Sequence, residues 1–125
     1  MQINFYQGQH IGQREEQQDA LGNLVLSPRH KLYVLADGMG GQHGGQIAGK
    51  TVVAAFLGHF QQHGLHEAEQ DLHQALQQAN QALADTLRRQ PELEGMGTTV
   101  IAVVVDETDN RYSYISVGDS PLYSY

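Results

Sequence analysis

The sequence predicts an α+β fold in which antiparallel strands carry a pair of helices. Three observations point to it. Two apolar runs, residues 21 to 26 and residues 31 to 36, are separated only by the short link of residues 27 to 30, which opens with a Ser27-Pro28 stop, is too brief for a crossover helix and so marks an antiparallel meander. Two amphipathic stretches then follow each other directly, residues 46 to 62 and 66 to 89, with only residues 63 to 65 between them, broken at His63-Gly64. A second strand pair, residues 100 to 105 and 111 to 117, closes the pattern across the polar turn of residues 106 to 110.

Taken in order, residues 3 to 11 alternate loosely through Ile3, Phe5 and Ile11 and are expected to form a first strand. Arg14 to Asp19 is polar and is expected to be a connection. Residues 21 to 26 predict a second strand, and the apolar Leu32, Tyr33, Val34 and Leu35 predict a buried third one that stops at Asp37. In the first helical stretch Ile47, Val52, Val53, Ala55, Phe56 and Phe60 recur at spacings of three and four; in the second Ala68, Leu72, Ala75, Leu76, Ala79, Leu83 and Leu87 do the same. A short Gly-containing link makes such helices antiparallel neighbours, and Pro91 and Gly95 end the second. Residues 100 to 105 are apolar on both faces, which predicts a central strand, and residues 121 to 125 look like the start of another.

Asp37 is where chemistry is expected. It ends an apolar run and is followed by six glycines in residues 38 to 49, whose conformational freedom lets backbone groups crowd round the carboxylate. Taken alone, the stretch reads equally as a strand, a turn and a helix-flanking Asp. Two later segments share its mixture of strand and glycine: Gly95-Met96-Gly97-Thr98-Thr99-Val100 and Val117-Gly118-Asp119-Ser120.

Together with Arg14-Glu-Glu-Gln17-Gln18-Asp19, these segments resemble the metal-dependent serine/threonine phosphatases of type 2C, specifically their bacterial branch. That branch carries an Asp-Gly-Met-Gly-Gly loop, a Gly-Thr-Thr strand, a Val-Gly-Asp-Ser strand end, and near its N-terminus an Arg followed after two residues by Asn-Gln-Asp. Here Gln17 replaces the Asn, Gln46 an expected Glu, Gly49 a Ser, and Pro121 a common Arg. The resemblance spans residues 14 to 120 and implies part of an α-β-β-α sandwich, two stacked antiparallel sheets with helices outside. It also implies that residues 1 to 125 are the N-terminal portion of a single phosphatase domain, stopping about half way.

Hydrolysis of a phosphoester at neutral pH needs a strong nucleophile and positive charge on the phosphoryl oxygens. Divalent ions supply both. Hard ions such as Mn²⁺ or Mg²⁺ take oxygen ligands, and Asp37 with the carbonyl of Gly38 meets that demand. The resemblance assigns Asp37 as the bridge between two metal ions, Gly38 as a carbonyl ligand, Asp19 as a support through water, and Asp119 as part of a third, weaker metal site. It makes Arg14 the phosphate-binding residue, a role suited to the planar guanidinium. Met39 stands where eukaryotic members have a His proposed as general acid, so it is expected to pack or space the backbone. Two further aspartates of the family's metal centre have no counterpart in this chain. It is therefore expected to bind metal weakly and to be inactive alone, and its uncovered strands are expected to make it oligomerise or swap strands.

The resemblance further implies a phosphorylated protein substrate and a cognate Ser/Thr kinase pathway. The competing reading within the family is a non-catalytic module that binds phosphoproteins. Outside it, Gly44-Gly-Gln-Ile-Ala-Gly49-Lys50-Thr51 matches a P-loop nucleotide-binding pattern, but residues 37 to 43 intervene between strand and loop, and the helical periodicity already includes Ile47. His59 and His63, four apart, could share a metal; without a third ligand they are expected to be solvated helix-end residues.

Composition bounds the rest. Seven basic against fourteen acidic residues, a net charge of −7, give no footprint for nucleic acid. No run approaches a membrane span, no basic leader precedes an apolar segment, and a cytoplasmic location is expected. With no cysteine, disulfides and thiolate metal sites are excluded.

Overall fold

A computed structural model describes residues 19–39 and 44–118; the expected first strand, the start of a last one, Arg14 and Asp119 lie outside them. Four strands, β1 (Asp19–Val25), β2 (His30–Met39), β3 (Gly97–Asp106) and β4 (Arg111–Val117), form one antiparallel sheet in the order β1-β2-β3-β4. Two helices, α1 (Gly44–His63) and α2 (Ala68–Arg89), occupy the crossover between β2 and β3, and a short 3₁₀ turn (Pro91–Leu93) follows α2. One sheet and one helix layer of the expected sandwich are thus present among the described residues.

Alternation along β2 decides which face the helices cover. Leu32, Val34 and Ala36 are fully buried, as are Val100 and Ala102 beside them on β3. The opposite face presents Leu21, Ile101, Tyr112 and Tyr114, which remain 42–61% exposed. α1 packs across β1, β2 and β3, while α2 packs on α1 and over β4. That double contact explains why α1 buries so wide a stripe, from Ala48, Val52 and Phe56 round to Val53 and Phe60. α2 needs only the narrower one of Leu72, Ala75, Ala79 and Leu83. Each buried Leu of that stripe contributes about 1.5–3 kcal/mol. Thr51 and Ala55 of early α1 line a groove with Thr86 and Arg89 of late α2, so the pair is antiparallel, as its short link requires.

Element ends differ from the sequence expectation for identifiable reasons. α2 begins at Ala68 rather than residue 66 because the Asp71 carboxylate accepts the amides of His66 (2.7 Å) and Glu67 (3.0 Å), and Glu67 caps Gln70 N (2.8 Å). Gly64, at φ +74°, closes α1 by donating to Phe60 O (2.8 Å). β2 does not stop at Asp37. Its ladder runs on through Asp37↔Thr99, Gly38↔Thr98 and Met39↔Gly97, because β3 begins three residues earlier than its apolar run and supplies partners. Asp19 is likewise not in a connection but opens β1.

The far end of the sheet is tied by charge. Arg29, in the β1–β2 turn, holds Asp106 through both carboxylate oxygens (3.1 and 2.6 Å) and reaches Asp109 (2.7 Å). This guanidinium, helped by the amides of Asp109 and Thr108, pulls the Asp106 carboxyl down to about 2. Asn110 follows at φ 57°, a conformation Asn tolerates, and turns the chain into β4. No helix among the described residues is long and apolar enough to cross a membrane.

Candidate functional site

Antiparallel pairing brings several chain ends to one edge. β1 starts, β2 ends, β3 starts and β4 ends on the same side, because Asp19 pairs with Asp37, Asp37 with Thr99, and Val100 with Val117. α1 also starts there. Direct cross-strand partners lie about 4.5–5.5 Å apart at Cα, so the backbone positions of two expected metal-site residues, Asp19 and Asp37, are neighbours by register alone. Asp37 is exposed and, following Tyr33 and Leu35, belongs to the face away from the helices.

Gly38 sets how closely α1 approaches this edge. A Cβ built on Gly38 would lie 1.7 Å from the Gly45 carbonyl oxygen and 2.5 Å from its carbon. Strand backbone therefore rests directly on the first turn of α1, which only glycine permits. Gly44 repeats the device more gently, with a hypothetical Cβ 3.2 Å from Cβ of the buried Met96 just before β3. Gly38 and Gly44 thus serve the close packing of β2, α1 and the start of β3. Met39, at the end of β2, is 39% exposed and paired with Gly97.

Sequence reasoning placed Thr98 and Thr99 only within a motif. The structure gives them positions: Thr99 is the direct partner of Asp37, and the fully buried Thr98, partner of Gly38, donates its hydroxyl to the Thr99 carbonyl (2.7 Å). The signal was the Gly-Thr-Thr triplet itself. Gly45 was missed as the residue that meets Gly38, since register across a strand and a helix is not encoded locally.

The donors at this edge are oxygens, and the chain has no cysteine, so their chemistry suits a hard divalent ion. Among the described residues no three or more His, Asp or Glu come together as a metal-binding group. Arg14 and Asp119 lie outside the described residues, so Asp19, Asp37 and Gly38 are the expected site residues placed at this edge. The segment from Gly44 to Thr51 is helical throughout, and Lys50 sits in the second turn of α1 with its amide in the helix ladder, which leaves a P-loop arrangement unsupported. His59, expected to be solvated, is instead 8% exposed: α1 is covered by α2 as well as by the sheet.

Comparison with known proteins places the sequence in a family and matches the fold. The family profile described as "Protein phosphatase 2C" matches residues 7–124. The serine/threonine protein phosphatase PstP of Mycobacterium tuberculosis is 36% identical over 96 residues, which are 74% of this chain and 18% of that protein. Among solved structures, PstP/Ppp of M. tuberculosis superposes with a TM-score of 0.67 at 32% identity, covering 85% of this chain and 42% of the other. The PstP catalytic domain in complex with two manganese ions gives the same TM-score and identity, with 85% and 43% covered. A Stage II sporulation E family protein from Thermanaerovibrio acidaminovorans superposes at 0.59 with 25% identity, covering 81% and 45%. The chain therefore spans less than half the length of the relatives it matches.

Proposed function

This chain belongs to the protein phosphatase 2C family, and from that premise we propose that it contributes part of a metal-dependent active site that hydrolyses phosphoserine and phosphothreonine in proteins. The observation that carries the reading is the row Asp19–Asp37–Thr99, set beside the backbone contact of Gly38 with Gly45. Asp37, the Gly38 carbonyl and Asp19 would hold Mn²⁺ or Mg²⁺, and a bound divalent ion would supply charge neutralisation and a stronger nucleophile. The manganese complex of the PstP catalytic domain supports that choice of metal. Asp37 orients the centre from a rigid ladder, and Gly38 keeps the first turn of α1 against it. Arg14 would bind the phosphate. The substrates would be cytoplasmic phosphoproteins of a Ser/Thr kinase pathway.

The 125-residue chain should by itself bind Mn²⁺ weakly and hydrolyse little, because Asp19, Asp37 and Asp119 bring too little carboxylate charge for two divalent ions. Calorimetry with Mn²⁺ and hydrolysis of an aryl phosphate, with Asp37→Asn as the blank, test this. Weak binding that weakens further in Asp37→Asn, with negligible turnover, is expected. Binding unaffected by Asp37→Asn would overturn the assignment of Asp37, while low-micromolar affinity or mutant-sensitive turnover in the wild type would overturn the expectation of weakness.

We also propose that the chain associates with a second copy through the sheet face opposite the helices. Leu21, Ile101, Tyr112 and Tyr114 are exposed there, and the two tyrosine rings pair at 6.1 Å. Sedimentation should reveal a concentration-dependent dimer that Ile101→Lys weakens; compact monomer at every concentration would sink the idea.

A further inference from the structure

At the other end of α1, about 21 Å along the helix from Gly45, a buried histidine stands outside the phosphatase reading. His59 is 8% exposed, and among the described residues neither of its ring nitrogens has a hydrogen-bond partner. Its ring lies edge-on to Phe60, with centroids 5.7 Å apart, and tilted against His63 at 4.6 Å. A neutral imidazole carries one donor and one acceptor, and here both stay unsatisfied. That is a costly arrangement for a neutral ring and a worse one for a charged ring.

The groups around it do not offset such a charge. On its own helix stands His63, which repels when protonated. On α2 stands Asp71, which is 5% exposed and attracts, yet its Oδ2 is already committed to the amides of His66 and Glu67. In the link, the His66 ring is engaged with the His63 carbonyl (2.7 Å). The helix-facing side of the sheet is apolar through Leu32, Val34 and Ala36. At its far end are His30 and Asp106, 3.5 Å apart, with Arg29 on Asp106, and Arg111 of β4 alongside. His30, Asp106, Arg111, Leu65 and His66 border a cavity of about 250 Å³, so the corner has room to rearrange.

We propose that His59 is a proton-operated latch on the α1–α2 corner: neutral, it stays packed against Phe60 and His63; protonated, it leaves that position and the corner opens. Burial first, then His63, hold the imidazole below its ordinary value, with Asp71 opposing. The unfolded or opened chain therefore takes up the proton first. The contribution of His59 to stability is present above about pH 6.5 and is lost as the pH falls below it.

Amide exchange in the last turn of α1 and the first turn of α2, corrected for intrinsic rates, tests the latch at about pH 7.5 and about pH 5.5. Exchange should be severalfold faster at the lower pH. His59→Phe should abolish that response, and His73→Gln, at an exposed position of α2, should keep it. A response that survives in His59→Phe overturns the proposal. Should that variant not fold, the ring titration of His59 in the unaltered chain decides by NMR: a midpoint below about 6.5 supports the latch, and one at or above it overturns the latch.

Discussion

Replacing Gly38 by alanine should destabilise the chain by about 3 kcal/mol or more, a large share of a typical domain's stability. The added methyl would sit 1.7 Å from the Gly45 carbonyl oxygen. Neither partner can yield cheaply. Gly38 is held in the β2–β3 ladder by its pairing with Thr98, and Gly45 lies in the first turn of α1. Relief requires lifting the helix off the strand end, which would also displace Asp37 from its row with Asp19 and Thr99. Denaturant unfolding measures the loss, with Gly58→Ala as the comparison. Gly58 lies inside α1, a Cβ there would meet nothing within 4 Å, and alanine should gain about 0.5–1 kcal/mol from helix propensity. Equal stability of Gly38→Ala and the unaltered chain would refute the close contact.

The second large effect is expected at Phe56. It is fully buried, and it lies in the core cluster that joins Leu32, Val34 and Ala36 of β2 with Leu72, Ala75 and Leu83 of α2. Truncation to alanine should cost about 3–5 kcal/mol, combining lost transfer energy with an unfilled cavity between sheet and helix pair. The unfolding midpoint should fall with the denaturant slope unchanged, since the surface exposed on unfolding is nearly the same. A cost below about 1 kcal/mol would mean that α1 does not pack between α2 and the sheet as described.

What was legible follows from the range of the signal. The spacing of Leu72, Ala75, Ala79 and Leu83 marked α2, because a one-sided helix writes its burial into a 3.6-residue period. The continuous apolar run of Leu32, Tyr33, Val34 and Leu35 marked β2, but which of its side chains face the helices was decided by the fold. Helix ends were less legible: Asp71 reaches back to His66 and Glu67, so a residue inside the helix chose where it starts. The reach of β2 to Met39 was hidden because glycines read as breakers, while an unseen partner, β3, supplied the ladder.

Local sequence thus determined the α+β class, the four strands and two helices of the described residues, and the carboxylate at a glycine-rich strand end. It marked the family through motifs that are each contiguous in the chain. Tertiary structure alone decided what lies across from what: Asp19 beside Asp37, Thr99 beyond it, Gly38 on the Gly45 carbonyl, and His59 inside rather than in solvent. The reason is physical. Periodicity reports which side of one element is apolar, whereas register, close backbone approach and the covering of a second helix face depend on partners distant in the chain, whose pairing is settled only when the whole core packs.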